Sequence, residues 1–266
     1  GREHLVHHIS QKRPIKKYTA GKLEELEDEI VAESPLTIHV NGEEFATIVC
    51  SPDHLDELVI GFLASEGVIL TKDDITDLQI DYPRGFAYVR LKSKSQTSKQ
   101  YYSKRLIGSC CGKSRQFYYT NDARTAKTSM SRQTVHAEDC IRLMNDLQDS
   151  STVFKNTGGV HNAALCDPTG IIVERSDIGR HNALDKLYGY SLVNHIPVRN
   201  KIIVFSGRIS SEVLLKAAKI GVGIVLSKSA PTDLAIELAD DLNITAVGFI
   251  RGQSFNVYSH DERIIF

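Results

Sequence analysis

The sequence has no long apolar run. No stretch of its 266 residues reaches the roughly 18 consecutive apolar residues that a membrane-spanning helix needs. The segment Gly1 to Lys17 is polar and basic and lacks the apolar stretch of a signal peptide. These absences argue against a membrane partner and predict a cytoplasmic protein.

The chain also lacks an excess of charge of either sign. It carries 32 lysines and arginines against 33 aspartates and glutamates, and its pI is near 6.9. This balance does not indicate nucleic-acid binding by the whole chain. One local bias exists, because Arg84 to Asn121 contains nine basic residues and no acidic residue. Such a stretch favours an anionic ligand, although a solvated basic loop has the same composition.

Several motifs of metal and nucleotide enzymes are missing. The cysteines contain no C-x-x-C spacing, and neither His161 nor His181 begins the H-x-E pattern of zinc deaminases. The P-loop pattern is absent too, since Gly112-Lys113-Ser114 matches only its last residues. We therefore predict no structural metal and no ATP hydrolysis.

The five cysteines fall into two groups. Three of them, Cys50, Cys140 and Cys166, lie in apolar periodic segments, which is not the pattern of a disulfide framework and fits a reducing compartment. The other two, Cys110 and Cys111, are adjacent within the basic stretch. Neighbouring lysines and arginines stabilise a thiolate, so this pair is a candidate reactive site. The alternative is that the pair is buried or incidental, which is common for cysteine.

The first half of the chain predicts a small β-rich (α+β) domain over residues 1–133. Asn41-Gly42 lies between two alternating segments and is typical of a two-residue hairpin. A second hairpin is predicted to pair Leu78 to Tyr82 with Phe86 to Leu91.

One helix and one long loop complete this domain. Ser51-Pro52 predicts the N-cap and first turn of a helix, and Gly67 predicts its end. Residues 92–132 show little periodicity, and we expect a mobile loop at about 92–116 that carries the cysteine pair.

From Thr134 onward, short apolar strands alternate with helical segments, which predicts a C-terminal α/β domain over residues 134–266. Repeated units of this length need crossover connections, so we expect parallel strands in a sheet covered by helices on both faces. This arrangement is a three-layer α/β/α sandwich. Asp167-Pro168-Thr169-Gly170 predicts a type I turn between two of the strands.

Polar and basic residues follow the predicted strands of this sandwich. Ligands of open α/β sheets bind beyond the carboxyl ends of the strands, and free N–H groups, hydroxyls and cations suit a phosphate. We therefore predict an anion site at these strand ends. Its members are Arg180, His181, Arg208, Ser210 and Lys228.

Two His-Asn pairs, His161-Asn162 and His181-Asn182, are predicted to face the same crevice. For each histidine a hydrogen-bonding role near the core is a more common arrangement than metal ligation.

Five motifs occur in order along the chain. They are Ser109-Cys110-Cys111-Gly112-Lys113, Thr157-Gly158-Gly159-Val160-His161-Asn162-Ala163, Asp177 to Lys186, Ser206-Gly207-Arg208 and Ser227-Lys228-Ser229-Ala230-Pro231-Thr232. With these motifs the sequence resembles the FdhD/NarQ family of formate dehydrogenase accessory sulfurtransferases. The resemblance covers nearly the whole chain.

This resemblance implies a sulfur carrier. A cysteine desulfurase gives sulfane sulfur to a loop cysteine, Cys110 or Cys111, and the resulting persulfide passes it to the bis-molybdopterin guanine dinucleotide molybdenum cofactor. The cofactor is then inserted into apo formate dehydrogenase. The resemblance also implies a homodimer, and a C-terminal half similar to the cytidine deaminase-like fold without its zinc.

The family resemblance further implies a cofactor-binding segment, which a guanine nucleotide would also occupy. Its residues here are Phe249, Ile250, Arg251, Gly252, Gln253 and Ser254. One feature departs from the family, because many members have two cysteines separated by two residues, whereas here the cysteines are adjacent. A disulfide between neighbours strains the peptide bond between them, so we expect one of the two thiols to carry the persulfide.

Two other functions remain open at this point. In the first, the chain binds a guanine nucleotide or the molybdenum cofactor as a chaperone, and the cysteines only contact the ligand. In the second, a deaminase-like hydrolase, the protein would need stoichiometric zinc.

Overall fold

The computed structural model describes residues 9–92, 105–107, 126–150 and 159–266, with the segment 105–107 described by its backbone alone. The strands within these ranges are β1 (Ser10–Thr19), β2 (Lys22–Val31), β3 (Ser34–Val40), β4 (Glu43–Cys50), β5 (Ile75–Asp81), β6 (Phe86–Leu91), β7 (Arg105–Ile107), β8 (Val135–His136), β9 (His161–Asp167), β10 (Gly170–Asp177), β11 (Ile202–Phe205), β12 (Ile224–Ser227), β13 (Thr245–Arg251), β14 (Ser254–Ser259) and β15 (Ile264–Ile265). The α-helices are α1 (Leu55–Ser65), α2 (Ala137–Ser150), α3 (Arg180–Val193), α4 (Ser211–Ile220) and α5 (Asp233–Asp241). None of these helices is long and apolar enough to cross a membrane.

The two predicted N-terminal hairpins are confirmed and belong to one five-stranded sheet, with the order β5-β6-β3-β4-β7. β3 and β4 pair antiparallel around Asn41 and Gly42, whose φ values of +52° and +85° suit a type I′ turn. β5 and β6 also pair antiparallel. β7 adds to β4 in parallel, so the segment expected to be a loop contains a short strand.

The first helix starts later than the sequence pattern predicts. α1 begins at Leu55, three residues after Pro52, so the prediction of its start was wrong. Ser51 is used differently, because its N–H donates to a carboxylate oxygen of Asp177 at 3.0 Å. This contact ties Ser51 to the C-terminal half of the chain instead of to the helix. The predicted end is confirmed, since Gly67 follows the last turn with a φ of +76°.

The C-terminal sheet is mixed, with the order β10-β9-β11-β12-β13-β14. The prediction of parallel strands is confirmed for β11, β12 and β13, which are linked by helices. It was wrong for the outer strands, which pair antiparallel. The turns at Asp167–Gly170 and at Gly252 are too short for a crossover, so each joins neighbouring strands as a hairpin.

Helices cover both faces of this sheet. On one face α2 packs with Met144 against Val204 and Leu226 in a single buried cluster. On the other face α3, α4 and α5 enclose Ile203 and Val225 in a second cluster. Successive strand residues thus alternate between the two faces, as the strand geometry requires. The likeness of this layering to cytidine deaminases stays a prediction.

Helices α1 and α3 cross at unusually short distance and join the two halves of the chain. A Cβ atom on Gly61 would lie 1.8 Å from the carbonyl oxygen of Asp185, and one on Gly189 would lie 1.9 Å from that of Glu57. The second core cluster therefore continues from the N-terminal sheet into α3 and α4. The predicted domain boundary between residues 133 and 134 stays a prediction.

β1 and β2 form a separate two-stranded sheet, which we call the ribbon (Ser10–Val31). Its register pairs run from Ser10 and Val31 at the base to Thr19 and Lys22 at the tip. The turn uses Ala20 and Gly21, with φ values of +50° and +84°. Most side chains of the ribbon are exposed.

Because α1 and α3 cross so closely, even a methyl side chain at their contact should destabilise the protein strongly. We expect Gly189→Ala to lower the free energy of unfolding by roughly 2–4 kcal/mol, because the added methyl group meets backbone that cannot move without separating α1 from α3. Urea denaturation followed by circular dichroism measures this change. Gly170→Ala is the matched control, since nothing lies within 4 Å of its Cβ position. Equal stability of the two variants would contradict the described packing.

Candidate functional site

The predicted strand-end residues meet at one edge of the C-terminal sheet. β10, β11, β12 and β13 end at this edge, and antiparallel β9 begins there. We call it the cation edge and define it by His161, Arg180, Arg208, Lys228 and Phe249. Its position beyond the carboxyl ends of parallel strands is the usual place of a ligand in an α/β sheet.

Hydrogen bonds between loops fix the backbone of the cation edge. The N–H of Ser206 donates to the carbonyl of Asn162 at 3.0 Å, and the N–H of Asn162 donates to the hydroxyl of Ser206 at 3.0 Å. The hydroxyl of Ser227 donates to the carbonyl of Gly207 at 2.5 Å and accepts the N–H of Ser229 at 3.0 Å. The serine hydroxyls in these turns therefore hold the loops in place.

Ser210 caps a helix, whereas Arg208 and Lys228 are exposed. The hydroxyl of Ser210 accepts the N–H of Val213 at 3.2 Å, as an N-cap of α4. Its predicted contact with a cofactor stays a prediction. The side chains of Arg208 and Lys228 are open to solvent at the same edge, where they can attract an anion.

Asp177 fixes the start of α3. Its carboxylate accepts the N–H of Gly179 at 2.8 Å and the side-chain amide of Asn182 at 2.9 Å, and it pairs with the ammonium group of Lys186 at 2.7 Å. Both charged side chains are fully buried. Lys186 also pairs with Asp53 at 2.8 Å. Burial alone would lower the pKa of Lys186, but the two carboxylates outweigh it and raise that pKa.

Two histidines lie at or beside the cation edge, His161 and His181, and the pKa of each is lowered. Burial lowers the pKa of His181, although its Nε2 donates to a carboxylate oxygen of Glu212 at 3.1 Å. Burial also lowers the pKa of His161, and the neighbouring guanidinium of Arg180 lowers it further. The ring of His161 stacks on Phe205. His181 thus has the hydrogen-bonding role near the core that was the alternative to metal ligation, whereas for His161 this role stays a prediction.

Among the side chains of the cation edge, Arg180 has a buried hydrogen-bond donor for which the described residues supply no acceptor. Its Nε atom is buried and has no hydrogen-bond partner among the described residues. An N–H group in this situation is uncommon in folded proteins, because its desolvation is uncompensated. A phosphate or carboxylate oxygen at this point would accept the bond.

The predicted cofactor segment forms the end of β13 and the turn that follows it. Phe249 has a φ of +57°, and its ring is 42% exposed. The guanidinium of Arg251 lies over this ring, 4.4 Å from its centroid. Ile250 points the other way and is buried with α2, so its side chain belongs to the core.

The rest of this segment is exposed and adjoins the loop after β12. Gly252 turns the chain with a φ of +56°, Gln253 is exposed, and the hydroxyl of Ser254 donates to the carbonyl of Arg251 at 3.2 Å. The N–H of Phe249 donates to the carbonyl of Ser229 at 3.3 Å, which links the segment to the turn that carries Lys228. An aromatic face and several cations are therefore neighbours at this edge.

The cysteine pair, Cys110 and Cys111, lies outside the described residues. The backbone strand before it, β7, pairs Ile107 with Ile48 and runs parallel to β4. Three residues after Ile48, Ser51 contacts Asp177 beside the start of α3. β7 thus runs in the same direction as β4, whose end lies beside Asp177.

The other three cysteines are buried, which makes their thiols unreactive. Cys50, Cys140 and Cys166 are buried free thiols. Burial raises the pKa of each to about 12, so the thiolate is scarce at neutral pH. Within the described ranges no group of three or more histidines, cysteines or acids is placed to hold a metal ion. The absence of a structural metal stays a prediction.

Comparison with known proteins identifies the family. The sequence model of the FdhD/NarQ family matches residues 31–265. The chain belongs to the FdhD/NarQ family. Relatives named "Sulfur carrier protein FdhD" include that of Geobacillus kaustophilus, which is 65% identical over 256 residues, 96% of this chain and 97% of the relative. That of Staphylococcus aureus strain MRSA252 is 60% identical over 257 residues, 97% of each chain.

A solved structure shares the fold. The crystal structure of a protein described as a formate dehydrogenase accessory protein, from Desulfotalea psychrophila, has a TM-score of 0.79 and covers 97% of this chain. All of that chain is matched, at 23% sequence identity. The mixed α/β architecture described above is therefore also the fold of that protein.

The structure also identifies residues whose roles the sequence did not indicate. Asp177 and Lys186 are the first and last residues of one FdhD/NarQ motif. They are nine residues apart in sequence, yet they form a direct ion pair. Glu212 fixes the ring of His181 from a different helix. Asp185, in the same motif, pairs with Lys216 at 3.0 Å and accepts the hydroxyl of Ser65. The only sequence signal for such pairs is a charged residue within a helical face that is otherwise apolar, because buried charged residues are almost always paired.

The buried ion pair predicts a strong loss of stability when one partner is removed. Lys186→Met should lower the free energy of unfolding by about 3–5 kcal/mol, because Asp177 is left as a buried charge without its cation. Chemical denaturation measures the loss. The double variant Asp177→Asn with Lys186→Met should recover part of it, and the exposed Lys127→Met should change little. A single variant as stable as the Lys127→Met control would show that the pair is not formed.

Proposed function

We propose that this chain is a sulfur carrier for formate dehydrogenase maturation. Cys110 or Cys111 accepts sulfane sulfur from a cysteine desulfurase as a persulfide. It then transfers this sulfur to a bis-molybdopterin guanine dinucleotide molybdenum cofactor bound at the cation edge, before that cofactor enters apo formate dehydrogenase. The names of the curated relatives support the sulfur-carrying role. A homodimer and a cytoplasmic location are part of the same proposal.

The observation that carries the proposal is the state of the other thiols. Cys50, Cys140 and Cys166 are buried with pKa values raised to about 12. A carrier thiol must react as a thiolate and must reach a partner protein. Sulfur chemistry in this chain is thus left to Cys110 and Cys111, which stand in a basic sequence.

Acceptance of sulfur is a thiol exchange reaction. The carrier thiolate attacks the terminal sulfur of the desulfurase persulfide, and a new S–S bond forms on the carrier. The S–S bond of the donor breaks, and the donor cysteine leaves as a thiolate. Lys113 and Arg115, close in sequence to the pair, favour the attacking thiolate.

The short distance along the chain supports delivery to the cation edge. Cys110 follows Ile107 by three residues, and three extended residues span at most roughly 11 Å. Ile107 is paired with Ile48, and β4 continues from there toward Ser51 and Asp177. This short connection supports a carrier thiol that acts close to the end of β4, where Ser51 contacts Asp177.

The residues of the cation edge suit the phosphates and base of a guanine dinucleotide. The Nε–H of Arg180, which has no partner in the part of the chain that the structure describes, can bind a phosphate oxygen, and so can the exposed side chains of Arg208 and Lys228. Phe249 offers an exposed ring for stacking, with Arg251 held against it. These residues would hold the cofactor that receives the sulfur.

The carrier role predicts where sulfur is added. After incubation with a cysteine desulfurase and free cysteine, mass spectrometry should find one added sulfur atom on the peptide that contains Cys110 and Cys111. Cys110→Ala and Cys111→Ala, made singly, should show which thiol carries it. The double variant should lose the added mass and should no longer sulfurate the cofactor in a reconstituted assay.

Matched controls separate this role from the alternatives. Cys140→Ala and Cys166→Ala should leave the added mass unchanged, because these thiols are buried. Sulfur on Cys50, Cys140 or Cys166 instead would contradict the site assignment. A double variant of Cys110 and Cys111 that still sulfurates the cofactor would favour a binding chaperone without covalent sulfur chemistry.

The cofactor role predicts binding of a guanine nucleotide at the cation edge. With GDP as the probe, Phe249→Ala should raise the dissociation constant about 10-fold through loss of base stacking. Arg180→Gln should weaken binding by a similar factor or more, because it removes a buried charged donor. Isothermal titration calorimetry measures both effects.

Arg199→Ala is the control for the loss of a positive charge. Arg199 is exposed and precedes β11, at the opposite end of the sheet from the cation edge. Its removal should leave the affinity for GDP unchanged. If Phe249→Ala and Arg180→Gln both bound GDP with wild-type affinity, the nucleotide would not bind at this edge. The proposed carrier role of the cysteines would be unaffected by that result.

A further inference from the structure

His161 lies between two segments of the cation edge that each carry an arginine. It is the first residue of β9, which lies between β10 and β11 in the sheet. On one side its backbone pairs with that of Asp177, and the chain reaches Arg180 three residues later. On the other side, the turn after β11 contains Gly207 and Arg208. A ligand held by both arginines would therefore meet His161.

Packing fixes the imidazole ring of His161 at this position. The ring stacks on that of Phe205, with 6.3 Å between the centroids and 21° between the planes. Its Nδ1 atom lies 3.4 Å from the place that a Cβ atom on Gly207 would take, so the ring also contacts the turn after β11. Among the described residues none forms a hydrogen bond with the nitrogen atoms of this ring. These atoms can therefore donate to a bound ligand or accept from it.

The charges around the ring favour its neutral form. Arg180 and His181 act on it from α3, and Asp177 acts on it from the end of β10. The two residues that contact the ring from β11 and the following turn carry no charge. Burial lowers the pKa of His161 most, and the guanidinium of Arg180 lowers it by more than the carboxylate of Asp177 raises it. A protonated ring beside Arg180 thus needs an additional negative charge.

A phosphate bound to Arg180 supplies that charge. An anion that accepts the buried Nε–H of Arg180 also lies near the ring, where it offsets the repulsion between the guanidinium and a protonated imidazole. The protonated ring has two N–H donors and no acceptor, so either nitrogen atom can donate to a phosphate oxygen. Binding of the phosphate and binding of the proton therefore favour each other.

We propose that His161 is a further ligand-binding residue of the cation edge, and that it takes up one proton from solvent when a phosphate group binds to Arg180. The ring then donates an N–H to that phosphate, and it returns the proton to solvent when the ligand leaves. The ligand class is an anion with a phosphate or pyrophosphate group. Proton uptake requires an anionic ligand at the cation edge and so rests on the proposed function, whereas it does not involve the cysteines.

Proton-linked binding predicts that the affinity of the full-length protein for a phosphate ligand rises as the pH falls. GDP-mannose is the probe, because its phosphates keep a constant charge in this range, whereas the terminal phosphate of GDP titrates near about pH 6. The proton binds more tightly in the complex than in the free protein, so a fall from about pH 8 to about pH 6 should lower the dissociation constant about 10-fold. Isothermal titration calorimetry in two buffers of different ionisation enthalpy should also detect proton uptake on binding.

His161→Gln tests which side chain takes the proton, because glutamine keeps a neutral hydrogen-bonding group that cannot be protonated. At about pH 8 this variant should bind GDP-mannose within about 3-fold of the wild type, and the gain at about pH 6 should be lost. His195→Gln is the matched control. His195 is exposed in the loop between α3 and β11, at the opposite end of the sheet from the cation edge. This control should keep the wild-type pH dependence.

Nuclear magnetic resonance of the imidazole C–H groups gives a second measurement, in the wild-type protein. Addition of GDP-mannose should raise the pKa of His161. Equal affinity at both pH values would overturn proton uptake and leave the proposed cofactor site in place. The same holds if the affinity of His161→Gln still rises at low pH, since the proton would then bind to another group.

A complete lack of GDP-mannose binding at both pH values would overturn proton uptake together with nucleotide binding at the cation edge. The carrier role of the cysteines would be unaffected, because mass spectrometry of the peptide that contains Cys110 and Cys111 tests it separately.

Discussion

The buried ion pair between Asp177 and Lys186 is the interaction on which the geometry of the cation edge depends. Asp177 ends β10, Lys186 lies in α3, and Asp53 and Ser51 come from the N-terminal half. Two charges at 0% exposure are costly to bury, and their attraction offsets this cost only in one geometry. The pair therefore selects one register of α3 against β10 and against the N-terminal sheet. Arg180 and His181, in the first turn of that helix, take their positions from this register.

Features of the fold that depend on neighbours in sequence could be predicted, whereas those that depend on distant contacts could not. Asn41-Gly42 dictates its hairpin, and Gly67 ends its helix, because each requires a left-handed backbone. The start of α1 was missed since Ser51 bonds to Asp177, more than a hundred residues away. One local feature is an exception: the outer strands form antiparallel hairpins because the turns at Asp167–Gly170 and at Gly252 are too short for a crossover. The roles of Gly61 and Gly189 could not be predicted, because they depend on the close crossing of α1 and α3.

The sequence could predict the chemistry of the candidate site, but not the hydrogen bonds and ion pairs that hold its residues in place. Basic residues after apolar strands indicate an anion site, because the strand ends of an α/β sheet converge at one edge. Arg180, Arg208 and Lys228 are brought to that edge by the fold. The structure adds local roles for two predicted members, since the hydroxyl of Ser210 caps α4 and the side chain of Ile250 lies in the core, while their contact with a cofactor stays a prediction. Glu212 could not be identified from sequence, because its contact with His181 joins residues on two separate helices.

The first turn of α3 contains a buried polar group that the described residues leave unsatisfied. The Nε–H of Arg180 has no hydrogen-bond partner among them, which costs about 1–3 kcal/mol in a buried position. The helix start cannot turn to relieve this cost, because Asp177 holds the N–H of Gly179 and the amide of Asn182. Under the proposed function, an anion bound at the cation edge would accept this N–H through a charge-assisted bond and recover that free energy. Binding would then stabilise the folded chain by an amount that rises with the logarithm of the ligand concentration once the site is mostly filled.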